Sequence, residues 1–152
     1  MAGAEREALD TRLRVFLYEH ALATGAIPTA AQIAKLNGLD ITAVHGSLQR
    51  LADSHLIVLD PHTAEVRMAN PLSAIPTNFR VEAPRGSFFG NCVWDALGVV
   101  AMLGGDGKVL TSCAESGAPL SLDVSGGLIA SADAVVHFAV PARRWWDDII
   151  HT

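Results

Sequence analysis

Residues 88–102 read Phe88-Phe89-Gly90-Asn91-Cys92-Val93-Trp94-Asp95-Ala96-Leu97-Gly98-Val99-Val100-Ala101-Met102. From about Asn91 the run is long and apolar enough for a buried helix ending near Met102, and too long for an ordinary strand. Gly104-Gly105-Asp106-Gly107 then makes a turn. Strand-like runs follow at 109–112, 120–124, 128–130 and 135–140, separated by Gly and Ser pairs. One apolar helix followed by several short strands predicts an α+β core, a small mixed or antiparallel sheet packed on the Cys92 helix. Pro141 is placed to open a last helical segment containing Trp145 and Trp146.

Ahead of that core the pattern is different. Asp10 is a candidate cap for a first helix with Leu13, Phe16, Leu17 and Ala21 at helical spacing, and Gly25 stops it. Thr29 with Gln32 three residues on is a capping box for a second helix, in which Ile33 and Leu36 are expected to face inward and Gly38 ends the turn. Asp40 or Thr42 opens a third helix carrying Val44, Leu48 and Leu51. Residues 57–59, the turn Asp60-Pro61-His62-Thr63 and the alternating run 65–68 predict a hairpin. Three helices and a hairpin suggest a winged-helix-like lobe over residues 1–70. Pro71, Pro76 and Pro84 mark a connector over 71–87 with one strand expected at 79–82, and the core spans 88–152.

The chain has 152 residues, half of them hydrophobic and 18% charged, with a net charge of −5, which is a globular composition. Over residues 1–80 there are seven Lys and Arg against eight Asp and Glu. In the third helix, the recognition position of a winged helix, His45, Gln49 and Arg50 are the outward candidates. One firm cation there is a poor counterpart for a phosphate backbone, so DNA binding is not expected. No stretch approaches the roughly 18 apolar residues of a membrane span, and the acidic start Met1–Asp10 lacks the basic end of a secretory signal. A cytoplasmic protein with two reduced thiols, Cys92 and Cys113, is the expectation.

Gly90 or Asn91 as helix cap puts Cys92 in the first helical turn, where the positive end of the helix favours a thiolate. Asp95 is three residues on, so the two side chains share a face, and their mutual repulsion tends to keep one proton in the pair. That suits a soft metal held beside a proton donor. The plainer alternative makes Cys92 a small buried hydrophobe and Asp95 a surface acid.

The run Asn91-Cys92-Val93-Trp94-Asp95-Ala96-Leu97-Gly98 resembles the first active-site motif of the alkylmercury (organomercurial) lyases. The segment Leu110-Thr111-Ser112-Cys113-Ala114-Glu115-Ser116-Gly117-Ala118-Pro119-Leu120-Ser121-Leu122 is similar to the same family's next block. The resemblance covers about residues 85–152, and the amino-terminal lobe only in architecture. It implies protonolysis of a carbon–mercury bond, with Cys92 and Asp95 as catalytic and mercury-binding residues and Asp95 mediating proton transfer to the leaving carbon. It also implies an organomercurial substrate, no cofactor, Hg(II) as bound product, and a small thiol or mercuric reductase as acceptor.

One departure from the family pattern concerns its second active-site cysteine, which follows shortly after a segment like residues 142–152 and is absent from this chain. Either the core is truncated at its carboxyl end or its site works with one fewer thiol. Cys113 is expected to pack a turn, His137 to sit in an apolar strand of the core, and Trp145 and Trp146 to anchor the core or wall an apolar pocket. His151 is near enough to the end to be close to the site. Two other readings stand beside the lyase: a winged-helix regulator sensing metal or oxidant, and a lyase relative that binds organomercury without efficient turnover.

Overall fold

The computed structural model describes residues 3–130 and 134–150, so His151 lies outside the described residues. Helix α1 (Gly3–Thr24) buries Leu9, Leu13, Leu17 and Ala21 on one face and ends where Gly25, at φ +78°, donates its N–H to the Ala21 carbonyl. Helix α2 (Ala30–Asn37) starts with the expected Thr29–Gln32 capping box and ends on Gly38 in the left-handed region. Helix α3 (Ile41–Asp53) is capped by Asp40, whose carboxylate accepts from the Thr42 amide, and buries Val44, Leu48 and Leu51.

Strands β1 (Val58–Leu59), β2 (Val66–Ala69) and β3 (Leu72–Ser73) form a three-stranded antiparallel sheet beside these helices. Together they enclose a first core from Leu9, Leu13, Leu17, Ile33, Leu48 and Ile57.

Two expectations for this half are corrected. Asp10 is no cap, because α1 begins seven residues earlier, at Gly3; its carboxylate accepts from Ser47 Oγ and pairs with Arg50 at 2.6 Å. Leu36 faces outward at 58% exposure, since Ala30, Ile33 and Ala34 make up the buried stripe of this short helix.

The second half is a five-stranded antiparallel sheet in the order β5-β4-β6-β7-β8. Its strands are β4 (Arg80–Ala83), β5 (Gly86–Phe89), β6 (Gly107–Ser112), β7 (Pro119–Ser125) and β8 (Leu128–Ile129). Residues 71–87, expected to hold one strand, thus contribute β3, β4 and the start of β5, with Pro84 in the β4–β5 turn, where no ladder N–H is needed.

Register decides the core. Phe88 pairs with Val81, Val81 with Val109, and Val109 with Leu122, so one row of apolar side chains crosses four strands. Helix α4 (Val93–Met102) lies on this face with Ala96, Val99 and Val100 fully buried. Each such valine removed from water contributes about 1.5–3 kcal/mol, and the alanine methyl less. Ala21 of α1 enters this second core, and Tyr18 and Ile27 pack against both, so α1 is a strut common to the two halves.

Beyond β8 the expected strand at 135–140 does not form. Its residues have no sheet partner, Val135 is 92% exposed, and His137 is exposed instead of buried in a core. Pro141 does open a helical turn, a 3-10 helix over Ala142–Asp147, but neither tryptophan anchors a core: Trp145 is half-buried and Trp146 exposed.

Candidate active site

The amino-terminal end of α4 is fixed by the residue just before it. Gly90 is buried, donates its N–H to the Phe79 carbonyl at 2.9 Å, and accepts at its own carbonyl from Thr77 Oγ1 at 2.6 Å. It also bridges to Leu72 of β3. A Cβ at this position would come within 2.5 Å of the Ala96 amide nitrogen and 2.7 Å of Ala96 Cα, so only glycine lets the strand end lie against the helix. A second close approach joins α4 to the β2–β3 turn, since a Cβ on Gly98 would meet Pro71 Cβ at 3.3 Å.

This anchoring makes Cys92 the cap residue of α4, with extended backbone (φ −144°, ψ −177°), one position earlier than the first-turn placement expected from sequence. Asp95 stands in the first turn, and both side chains are half-buried.

The Asp95 carboxylate reaches back over the helix start: Asn91 Nδ2 donates to Oδ2 at 2.9 Å. The same Nδ2 lies 3.3 Å from Asn70 Oδ1, while the Asn70 carbonyl accepts from Tyr18 Oη at 2.8 Å. Asn91 was legible only as a possible cap. Its i,i+4 spacing to Asp95 was the signal that could have revealed it as the carboxylate's partner.

Electrostatics at the pair depart from the expectation of a ready thiolate. Burial pushes the Cys92 thiol above its ordinary value; the Asp95 amide opposes this, the Asp95 carboxylate adds to the rise, and the Trp94 amide opposes it again. Burial likewise raises the Asp95 carboxyl, against the lowering effect of the Asn91 side-chain amide and backbone N–H. Desolvation outweighs the helix end, and both groups favour their protonated forms more than free side chains do.

Cys113 is the opposite case. It sits in the β6–β7 turn, where its N–H donates to the Ala118 carbonyl and its carbonyl accepts from Gly117. The Ser116 hydroxyl, with the Ser116 and Glu115 amides, lowers its thiol below the usual range. Both cysteines are free thiols.

Next to the site the exposed Trp94 meets Phe138 edge-on, centroids 6.3 Å apart, and Phe138 packs on Trp145 at 5.3 Å. The carboxyl-terminal segment therefore lies over the α4 start. Among the described residues no cluster of three or more His, Cys, Asp or Glu is placed to hold a metal ion.

A cysteine and an aspartate paired at the start of an apolar helix over an antiparallel sheet can be compared with known families. The alkylmercury lyase family model matches residues 72–152, more than half of the chain, including Asn91, Cys92 and Asp95. The chain belongs to the alkylmercury lyase family. A solved structure described as the mercury-bound form of MerB2 shares the fold of this family member, with a TM-score of 0.58 and 22% identity. The match covers 78% of this chain and 58% of that one, so this lyase-family chain spans well under two thirds of that protein's length. No curated protein matches it in sequence.

Proposed function

We propose that this chain cleaves carbon–mercury bonds by protonolysis, with Cys92 taking the mercury and Asp95 passing the proton. The observation that carries the reading is the pairing of Cys92 and Asp95 at the half-buried start of α4, inside the segment that matches the lyase family. Thiolate sulfur is the ligand a soft metal prefers.

An organomercurial cation, R–Hg⁺, displaces the Cys92 thiol proton as the sulfur–mercury bond forms, and Asp95 accepts that proton. Its raised affinity for a proton suits it to hold one in a partly dry site. The acid then protonates the carbon, which takes the electron pair of the breaking carbon–mercury bond and leaves as the hydrocarbon. Hg(II) remains on Cys92 with the Asp95 carboxylate beside it, until a small thiol or a mercuric reductase removes it. Trp94, Phe138 and Trp145 offer an apolar surface for the organic group. Such thiol chemistry belongs in a reducing compartment, the cytoplasm, and no helix among the described residues is long and apolar enough to cross a membrane. We read the lobe over residues 1–70 as a winged-helix-like packing module. The alternative of a DNA-binding regulator is disfavoured because Arg50 is tied to Asp10 and Gln49 donates to Asp53, leaving α3 with little to offer a phosphate.

Phenylmercury with excess small thiol tests the reading, with mercury capture and benzene release followed in the same sample. Cys92→Ala should lose benzene release, any mercury it still takes being held by Cys113, while Cys113→Ala keeps both capture and release. Asp95→Asn should keep capture and lose release by at least ~10²-fold, the low end for a positioned general acid. Loss of activity in Cys113→Ala with Cys92→Ala intact would reverse the assignment.

A further inference from the structure

We propose that Asn91 is the positioning residue of the Asp95 carboxylate and that, through Asn70, it ties this carboxylate to Tyr18 on α1. The inference rests on the lyase reading for its consequence, not for its geometry. One amide nitrogen, Asn91 Nδ2, serves two acceptors, Asp95 Oδ2 at 2.9 Å and Asn70 Oδ1 at 3.3 Å. Asn91 Oδ1 is buried without a hydrogen-bond partner. Turning the amide over would set that oxygen against two other acceptor oxygens, so the orientation has one favourable sense as long as Asp95 is ionised.

The frame around Asn91 leaves it little freedom. Gly90 is held by Phe79, Thr77 and Leu72 against Ala96, with no room for even a methyl group. Asn70 is held from the other side, its carbonyl accepting from Tyr18 Oη at 2.8 Å, and Tyr18 packs against both cores. The chain Tyr18–Asn70–Asn91–Asp95 therefore runs from the amino-terminal helix to the candidate proton donor through half-buried residues. A carboxylate on an otherwise open helix end samples several rotamers; here one is selected by a donor that is itself braced by a second element. Proton transfer to carbon is sensitive to such placement, whereas capture of mercury by a thiol is not.

The experiment uses the full chain with Asn91→Leu, Tyr18→Phe and the double variant. Nitrogen–carbon three-bond couplings of Asp95 in labelled protein report its side-chain rotamer without reference to activity. Phenylmercury capture and benzene release report function. Asn91→Leu should average the Asp95 rotamer and lower release at least ~10-fold with capture within about threefold. Tyr18→Phe should lower release a few-fold alone and add nothing in the Asn91→Leu background, because the two act through one chain. Should Asn91→Leu fail to fold, Asn91→Ser, too short to reach Asp95, carries the same expectations. Unchanged Asp95 couplings, capture and release falling together, or additive effects of the two substitutions would each overturn the proposal. If the unsubstituted protein captures phenylmercury and releases no benzene, the lyase reading falls, and the couplings still decide whether Asn91 orients Asp95.

Discussion

The Trp146 indole lies flat on the His55 imidazole, with ring centroids 4.0 Å apart and planes within 10°. His55 follows α3 with a left-handed backbone (φ +57°), so the contact fastens the carboxyl-terminal segment to the amino-terminal half, while Phe138 and Trp145 fasten it near Trp94. A stacked aromatic contact of this kind contributes about 0.5–1.5 kcal/mol. Trp146→Ala should therefore loosen residues 134–148 without unfolding either core. Limited proteolysis should cut this segment several-fold faster at an unchanged melting temperature, and equal cutting of the two proteins would show that the stack does not hold it.

Gly90→Ala should be among the most damaging single methyl additions in this protein. The added Cβ meets backbone atoms of Ala96 at 2.5 and 2.7 Å, which no side-chain rotation relieves. The expected loss is about 2–3 kcal/mol, from overpacking where strand and helix meet. Urea unfolding measures it, and mercury capture by the folded fraction should weaken as well, because Cys92 is two residues away.

The two thiols should react in the order opposite to their expected roles. Cys113, with its thiolate favoured by Ser116 and Glu115, should be alkylated by iodoacetamide at neutral pH at least ~10-fold faster than Cys92, whose thiol is pushed up by burial. Mapping the modified peptides by mass at short times gives the order, and faster modification of Cys92 would contradict it.

Asp95 should cost the fold stability at neutral pH. Its folded-state carboxyl is raised above the unfolded value, so the native state binds more protons between the two, and stability falls as pH rises through that window. Asp95→Asn keeps an oxygen to accept from Asn91 and removes the buried charge. The variant should melt higher than the parent at pH 7, with the gap closing as pH drops below the carboxylate range. A lower melting temperature at pH 7 would show that the charge stabilises the helix start instead.

Asp10→Ala should destabilise the first core's outer edge. Arg50 holds this carboxyl below its usual range, Ser47 assists, and Ser47 is itself fully buried. Removing the acceptor leaves the Ser47 hydroxyl unsatisfied, at a cost of about 1–3 kcal/mol. Stability from the pair is present above the unfolded carboxyl pKa and lost as pH falls through the lower folded value, so parent and variant should converge in acid. Thermal melts from neutral to acidic pH check both statements.

What could be read directly from the chain were features decided within a few residues. The Thr29–Gln32 capping box, the left-handed stops at Gly25 and Gly38 and the Asp40 cap all depend on bonds closed inside one turn, and all stand in the structure, as does the buried stripe of α3, which its helical spacing marks. Cys92 and Asp95 are also close, with the Asp95 amide and carboxylate both acting on the Cys92 thiol, although Cys92 is the extended cap residue and not part of the first turn. Their motif also sufficed to point to the family that the match over residues 72–152 shows.

Tertiary structure decided the rest, through contacts between elements far apart in sequence. Asp10 carries a cap's side chain, but Ser47 and Arg50, roughly forty positions away, take it inside α1. The 135–140 run has the apolar composition of a strand and finds no sheet partner among the described residues, while the strand expected at 79–82 forms at 80–83 and only the fold sets its pairing with both β5 and β6. Proton affinity at Cys92 and Cys113 followed the same rule. The helix end is a local field and favours a thiolate, but burial in the folded chain outweighs it, so the Cys92 thiol is raised while the Cys113 thiol in its turn is lowered. Asn91 combines both levels: its spacing to Asp95 is written in the sequence, and its hold on Asn70, twenty-one residues back, exists only because β3 and Gly90 meet in the folded chain.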